Sequence, residues 1–144
     1  MIAKVPLKYL KIDNEGVHLM VIGLVNRLKA NILIDTGASR TVFDLNRIKH
    51  YQNGTEPRKN NKFFSGIGAS NIDTYLAKIS LLELGEMKIN EIEVVLFDLK
   101  VINQSYAVFD LPRIDGVLGG DLLKAYNAVI DYKNGYLLME YHQT

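Results

Sequence analysis

Cysteine is absent from the 144 residues, which excludes a disulfide framework, a thiolate nucleophile and thiolate metal ligands, and fits a reducing compartment. An excess of one charge is absent too. Lys and Arg number 17 against 16 Asp and Glu, for a formal net charge of +1, so the chain lacks the basic footprint expected of a nucleic-acid or anionic-membrane partner. The short basic run Arg58-Lys59-Asn60-Asn61-Lys62 reads as a solvated loop. No apolar run is long enough to span a bilayer, and Lys4, Pro6 and Lys8 interrupt the continuous apolar core a signal peptide needs. The expectation is a soluble, cytoplasmic protein without nucleic-acid or membrane partners. His18, His50 and His142 stand apart in the sequence, without metal-ligand spacing, and read as surface or sheet residues. No metal and no cofactor are expected.

What is present is β-rich. With 48% hydrophobic and 23% charged residues, a chain of this length can build one core, so a single domain over residues 1–144 is expected. β-branched and aromatic residues cluster at 17–25, 31–34 and 75–82, which predicts strands. Residues 14–16 and 26–29 read as polar connections. Lys133-Asn134-Gly135 places an Asn-Gly turn between two apolar runs and predicts a hairpin. Helix signals are few: about one turn near 44–48, and a short helix starting at Asp121. Residues 50–62 are polar and contain Gly54 and Pro57, which predicts an exposed excursion. No internal repeat is visible.

The most informative stretch is Ile32-Leu33-Ile34-Asp35-Thr36-Gly37-Ala38-Ser39. An aspartate emerging from an aliphatic run is expected where water is scarce, and a desolvated carboxylate gains a raised pKa unless it is hydrogen-bonded or paired. Thr36 offers a hydroxyl. Gly37 leaves no Cβ beside the carboxylate, so another backbone, a substrate or a second copy of the loop can approach. A turn carboxylate capping nearby amides is the plain alternative for Asp35. Two further segments give it a context. Phe63-Phe64-Ser65-Gly66-Ile67-Gly68-Ala69-Ser70 has the paired glycines of a pliable hairpin tip, which can serve as a lid or be an ordinary tip. Ile114-Asp115-Gly116-Val117-Leu118-Gly119-Gly120-Asp121 runs from a turn through apolar residues into glycines that imply a close backbone crossing. Asp115 reads as a turn residue there, and Asp121 as a helix cap or ion-pair partner.

Asp35-Thr36-Gly37-Ala38, the Gly66-Ile67-Gly68 hairpin and Val117-Leu118-Gly119 before a short helix occur in the order found in retropepsin-like aspartic proteases. The chain resembles this family over most of its length. It is most similar to non-viral single-domain members, whose later motif reads as Gly116 to Leu123 does here. The resemblance implies an all-β, mainly antiparallel, closed barrel with one or two short helices. It also implies catalytic Asp35, Thr36 and Gly37, and substrate-binding Ala38, Gly66, Ile67, Gly68 and Ala69 under a flap. Val117, Leu118 and Gly119 would support the active site from behind.

Peptide hydrolysis without metal or covalent intermediate needs a base to activate water and an acid for the carbonyl oxygen, roles that two carboxylates sharing a proton fill. The chain has one Asp-Thr-Gly. Its second carboxylate must then come from a second chain, which a two-fold axis supplies with one isologous interface. Asp131 also ends an aliphatic run but lacks the hydroxyl and glycine, and makes a poor partner within the chain. The expected function is therefore an aspartic endopeptidase acting on peptides as a homodimer. The alternative is an inactive peptide-binding or dimerisation module of the same fold. Viral members carry two acidic residues after the alanine and an arginine after the later glycine, where this chain has Ser39-Arg40 and Gly120-Asp121. Arg40 and Asp121 are accordingly expected to form a charge-reversed bracing pair. Viral members also interleave terminal strands between chains; residues 3–12 and 136–142 have strand-like composition here, with their pairing open.

Overall fold

The structure, a computed structural model, describes residues 1–14, 16–51, 56–59 and 73–142. Strands β1 (Ile2–Pro6), β2 (Lys8–Lys11), β3 (Val17–Val25), β4 (Leu28–Ile34) and β5 (Val42–Asp44) lead into helix α1 (Ile48–Tyr51). Then follow β6 (Arg58–Lys59), β7 (Tyr75–Leu84), β8 (Met87–Phe97), α2 (Lys100–Val108), β9 (Gly116–Leu118), α3 (Gly120–Ala125), β10 (Val129–Asp131) and β11 (Tyr136–Glu140). The larger sheet runs β2-β3-β4-β9-β5-β8-β7-β6, and an added β3–β7 pairing closes its central six strands into a barrel. The smaller sheet has the order β1-β11-β10.

Tight turns set the register. Asn26 and Arg27 both take left-handed φ, 48° and 71°, the geometry of a two-residue turn whose twist matches its flanking strands. The connection expected over 26–29 is thus only two residues long, and Val25 pairs with Leu28. Asn26 is suited to this corner because both ends of its amide are engaged: Nδ2 donates to Tyr51 O at 2.8 Å, and Oδ1 accepts from Leu81 N at 3.0 Å. Gly85, at φ 59°, turns β7 into β8, which pair from Tyr75↔Leu96 to Leu84↔Met87. The hairpin expected around Asn134-Gly135 forms as β10 and β11, with Ile130 opposite Leu137.

Period-two alternation sorts the barrel residues into two cores. Ile32, Ile34, Phe43, Val94, Leu96 and Leu118 pack inside with Val21, Ile79 and Leu84. The alternate residues Leu33, Val42, Val95 and Val117 pack outside the wall against Leu99, Tyr106 and Ile114. Both faces of β4 are therefore covered, and Ile32-Leu33-Ile34 is buried throughout rather than alternating, as expected of a strand with no wet face. The smaller sheet joins the inner core through Ala3, Val5, Leu137 and Met139.

Helix α2, part of the outer cover, raises the helices among the described residues to three, one more than the expected one or two. Its start lacks the usual signal: the residue before it is Leu99, with no side-chain cap, and the first turn carries no acidic residue. Asp98, one residue further back, accepts from Lys100 N at 2.8 Å instead. Two more expectations change. Tyr51 is buried in α1, with its hydroxyl donating to Lys29 O at 3.1 Å, so the excursion does not begin at residue 50. Arg58 and Lys59 form an edge strand on β7, and Arg58 pairs with Glu93.

Asp115, expected in a turn, is a buried structural carboxylate at 6% exposure. Its Oδ2 accepts from Asn31 N at 2.9 Å and its Oδ1 from Arg47 Nε at 3.2 Å. It thereby ties β4, the approach to α1 and the entry to β9 together. Because an unpaired buried partner costs more than the intact pair supplies, Asp115→Ala should lower unfolding free energy by about 2 kcal/mol. Urea denaturation measures this, with the slope expected to be unchanged.

Candidate active site

The Asp35 loop is made by two chain segments crossing. β4 and β9 run parallel, with Ile34 beside Leu118, and Asp35 N donates to Leu118 O at 3.1 Å immediately past the strand end. The loop then closes on itself: Ala38 N donates to Asp35 O at 3.1 Å, and Gly37 N to the Asp35 carboxylate Oδ1 at 2.9 Å. On the other segment, Gly120 N donates to Ala38 O at 2.7 Å and Asp121 N to Ser39 O at 3.2 Å. Gly119 sits at the tightest point. A Cβ there would lie 2.5 Å from Arg40 O and 2.9 Å from Ala38 O, contacts no side chain can make. Gly120 has ordinary room, its added Cβ being 3.5 Å from Ala38 O. The crossing expected from the two glycines is thus enforced at the first.

Thr41, for which the sequence pattern offers no role, locks the crossing. It is buried, and its hydroxyl accepts from Gly119 N at 3.1 Å while donating to Asp121 Oδ1 at 2.7 Å. Its backbone N–H donates to Asp121 Oδ2 at 3.0 Å. Both oxygens of Asp121 are therefore engaged by Thr41, and Arg40 is exposed. The expected Arg40–Asp121 bracing pair is replaced by this neutral-donor network. The ion pairs among the described residues are Arg47–Asp115 and Arg58–Glu93.

Asp35, Thr36 and Gly37 are exposed in the single chain, contrary to the desolvated carboxylate expected from the aliphatic run. The cover on both faces of β4 ends with Ile34, and the loop emerges from it. A cleft of about 260 Å³ opens there, with Val17, His18, Asp35, Thr36, Ile130 and Tyr132 in its walls. Asp35 is the carboxylate among these lining residues. Asp131 turns away: its oxygens accept from Asn134 N at 2.9 Å and Asn134 Nδ2 at 2.8 Å. Those bonds, the side-chain one foremost, hold its carboxyl below the usual range. Gly66, Ile67, Gly68 and Ala69 lie outside the described residues.

The sequence reading also missed a pair of rings. His18 Nδ1 lies 2.6 Å from Tyr106 Oη, with ring centroids 5.8 Å apart. Tyr106 is buried, and burial first, then the negative charge of Asp35, pushes its phenol above the ordinary value of 10.0. The phenol hydroxyl and the imidazole nitrogen are thus within hydrogen-bond distance of one another. No sequence signal joined residues 88 positions apart, because the contact depends on α2 covering the outer face of the barrel.

A family model described as aspartyl protease matches residues 19–122. The chain belongs to the aspartyl protease family. No curated protein matches it significantly. Among solved structures, this aspartyl protease family member is similar to a retropepsin-like aspartic protease from Rickettsia conorii. That match has a TM-score of 0.58 and 14% identity, over 98% of this chain and 90% of the other. It is also similar to the retroviral protease-like domain of Ddi1 from Leishmania major, at a TM-score of 0.56 and 17% identity over 87% and 90% of the two chains. The EIAV protease complexed with the inhibitor HBY-793 matches at a TM-score of 0.54 and 18% identity, over 78% and 91%. At such identities the likeness establishes the fold, which is retropepsin-like. No helix among the described residues of this family member is long and apolar enough to cross a membrane.

Two measurements test this site. Gly119→Ala forces the Arg40 and Ala38 carbonyls apart and should cost about 3 kcal/mol of stability, the scale of overpacking a rigid site, as read by thermal or urea unfolding. For Tyr106 the sign is set by its raised pKa. Its contribution to stability is fully present below the unfolded value near 10 and is lost as pH rises through the folded value. Tyr106→Phe should therefore flatten the alkaline decline of the melting temperature relative to the wild type.

Proposed function

We propose that two copies of this chain form an aspartic endopeptidase, each acting as one catalytic domain and contributing Asp35 to a shared dyad. The observation that carries the reading is the exposed Asp35 on a loop held rigidly from behind by Leu118, with no second carboxylate among the described residues lining the cleft. One carboxylate cannot serve as both the base and the acid that the reaction needs. Two facing each other do not ionise together, so one remains protonated while the other is charged. The charged member takes a proton from water as it attacks the peptide carbonyl, and the protonated member donates to the carbonyl oxygen. The two apparent pKa values belong to the pair.

Thr36 and Gly37 shape the loop that presents the carboxylate. Ala38 is proposed to line the bound peptide backbone. Gly66, Ile67, Gly68 and Ala69 are assigned from the sequence to cover the peptide from the opposite side. Apolar walls such as Val17 and Ile130 suit extended peptides with apolar side chains. Peptide or protein is therefore the substrate class.

Asp35→Asn keeps the shape of the loop and removes the titrating group. Peptide cleavage should fall by about 10³-fold, the scale of general acid–base catalysis, while sedimentation still shows the dimer. Wild-type specific activity should rise with protein concentration through the dimer transition. Unchanged cleavage by Asp35→Asn eliminates the mechanism, and a wild type that stays monomeric and inactive at every concentration assigns the binding-module alternative.

A further inference from the structure

We propose that His18, fixed by Tyr106, selects the substrate by donating a hydrogen bond from Nε2 to a carboxamide or carboxylate oxygen on a peptide side chain beside the scissile bond. The proposal rests on the endopeptidase reading of Asp35 and adds the substrate class that the site prefers.

Strand register brings the ring to the site. Leu19 pairs with Ile34 at the end of the β3–β4 ladder, and one step further along the two segments stand His18 and Asp35. Both residues line the same cleft. Its described walls are otherwise mostly aliphatic, with Val17, Leu19, Leu33, Ile34 and Ile130 among them. His18 is the nitrogen-bearing side chain among the described lining residues.

Tyr106 decides what that side chain can do. Its hydroxyl, on a residue only 5% exposed, lies 2.6 Å from His18 Nδ1, and a buried hydroxyl donates where an acceptor is in reach. Nδ1 is that acceptor. The raised pKa of the phenol, from burial first and the Asp35 charge second, keeps the hydroxyl protonated for this role. With Nδ1 accepting, a neutral imidazole carries its own proton on Nε2, and a protonated imidazole carries one there as well. Nε2 is then a donor in either charge state.

The pair is not needed to hold α2. Asn103 on that helix bonds twice to Ile114, Nδ2 donating to the carbonyl at 3.0 Å and Oδ1 accepting from the backbone N–H at 2.7 Å, and Leu99 is buried at the helix start. His18 itself is exposed, so fixing its ring serves the cleft more than the core. A fixed N–H in an apolar cleft is costly to leave unpaired once a bound peptide excludes water. A side chain ending in an oxygen satisfies it, and a thioether or aliphatic one of similar length does not.

The test maps wild-type cleavage sites on a peptide library, then replaces the residues flanking the scissile bond of the best-cleaved peptide in turn by Gln, Glu or Met. At one flanking position Gln or Glu should exceed Met in kcat/KM by about tenfold, the scale of one hydrogen bond left unmade. A lead for Gln assigns a neutral imidazole as the donor, and a lead for Glu a charged one. His18→Leu should bring the ratio close to one, and His18→Gln, which keeps an N–H at similar reach, should restore part of it. Tyr106→Phe, which keeps the buried ring and frees Nδ1, should lower the ratio by roughly threefold. A wild-type ratio near one, or a ratio that survives His18→Leu, overturns the selection and leaves the Asp35 chemistry standing, which Asp35→Asn tests separately on the same peptide. A wild type that cleaves no peptide overturns both.

Discussion

Everything at the site depends on two backbone segments being allowed to touch at Gly119. A Cβ at that position would sit 2.5 Å from Arg40 O, closer than any carbon–oxygen contact, so the absence of a side chain sets the spacing between the Asp35 loop and β9. With that spacing, the donors Asp35 N, Gly120 N and Asp121 N all find carbonyls across the crossing. The energetic weight lies in satisfaction: these groups sit close to the core, where an unmade backbone hydrogen bond is expensive. A loop held by so many mutual bonds keeps its carboxylate in one place without support on the outer side. That is the condition for a group to be exposed and still positioned.

The division of labour between the two cores follows from the same strands. Ile32 and Ile34 face inward while Leu33 faces the cover formed around Leu99 and Tyr106. A run buried on both sides reads in sequence as uninterrupted aliphatic residues, and its end is conspicuous when the next residue is an aspartate. This is why Asp35, its glycine and the supporting Val117-Leu118-Gly119 were legible from the sequence, as were the central strands and the last hairpin. The cover itself was not. Helix α2 meets the barrel chiefly through Tyr106, leaves Val101 and Val108 exposed, and begins without a capping residue, so local propensity says little and tertiary packing decides. His18 remained anonymous for the same reason, because its partner arrives on that helix.

Charge reading misled where hydroxyl chemistry took over. Arg40 and Asp121 invited an ion pair, yet a buried guanidinium and carboxylate must both be stripped of water before they attract one another. Thr41 solves the same bracing problem at lower desolvation cost. Its hydroxyl is donor and acceptor at once, joining Gly119 N to Asp121 Oδ1, and its backbone N–H takes the other carboxylate oxygen. One half-buried carboxylate is braced in place of an ion pair, and it receives directed donors from Thr41 at the entry to β5.

That substitution bears on how two chains could share a site. A loop braced across the interface by ions would be rigid only after association, whereas the Thr41–Asp121 network completes the loop within one chain. In the proposed two-chain site, the exposed face of Asp35 then needs nothing from the partner except proximity and exclusion of water, since a second carboxylate at short range is enough to keep one of the pair protonated.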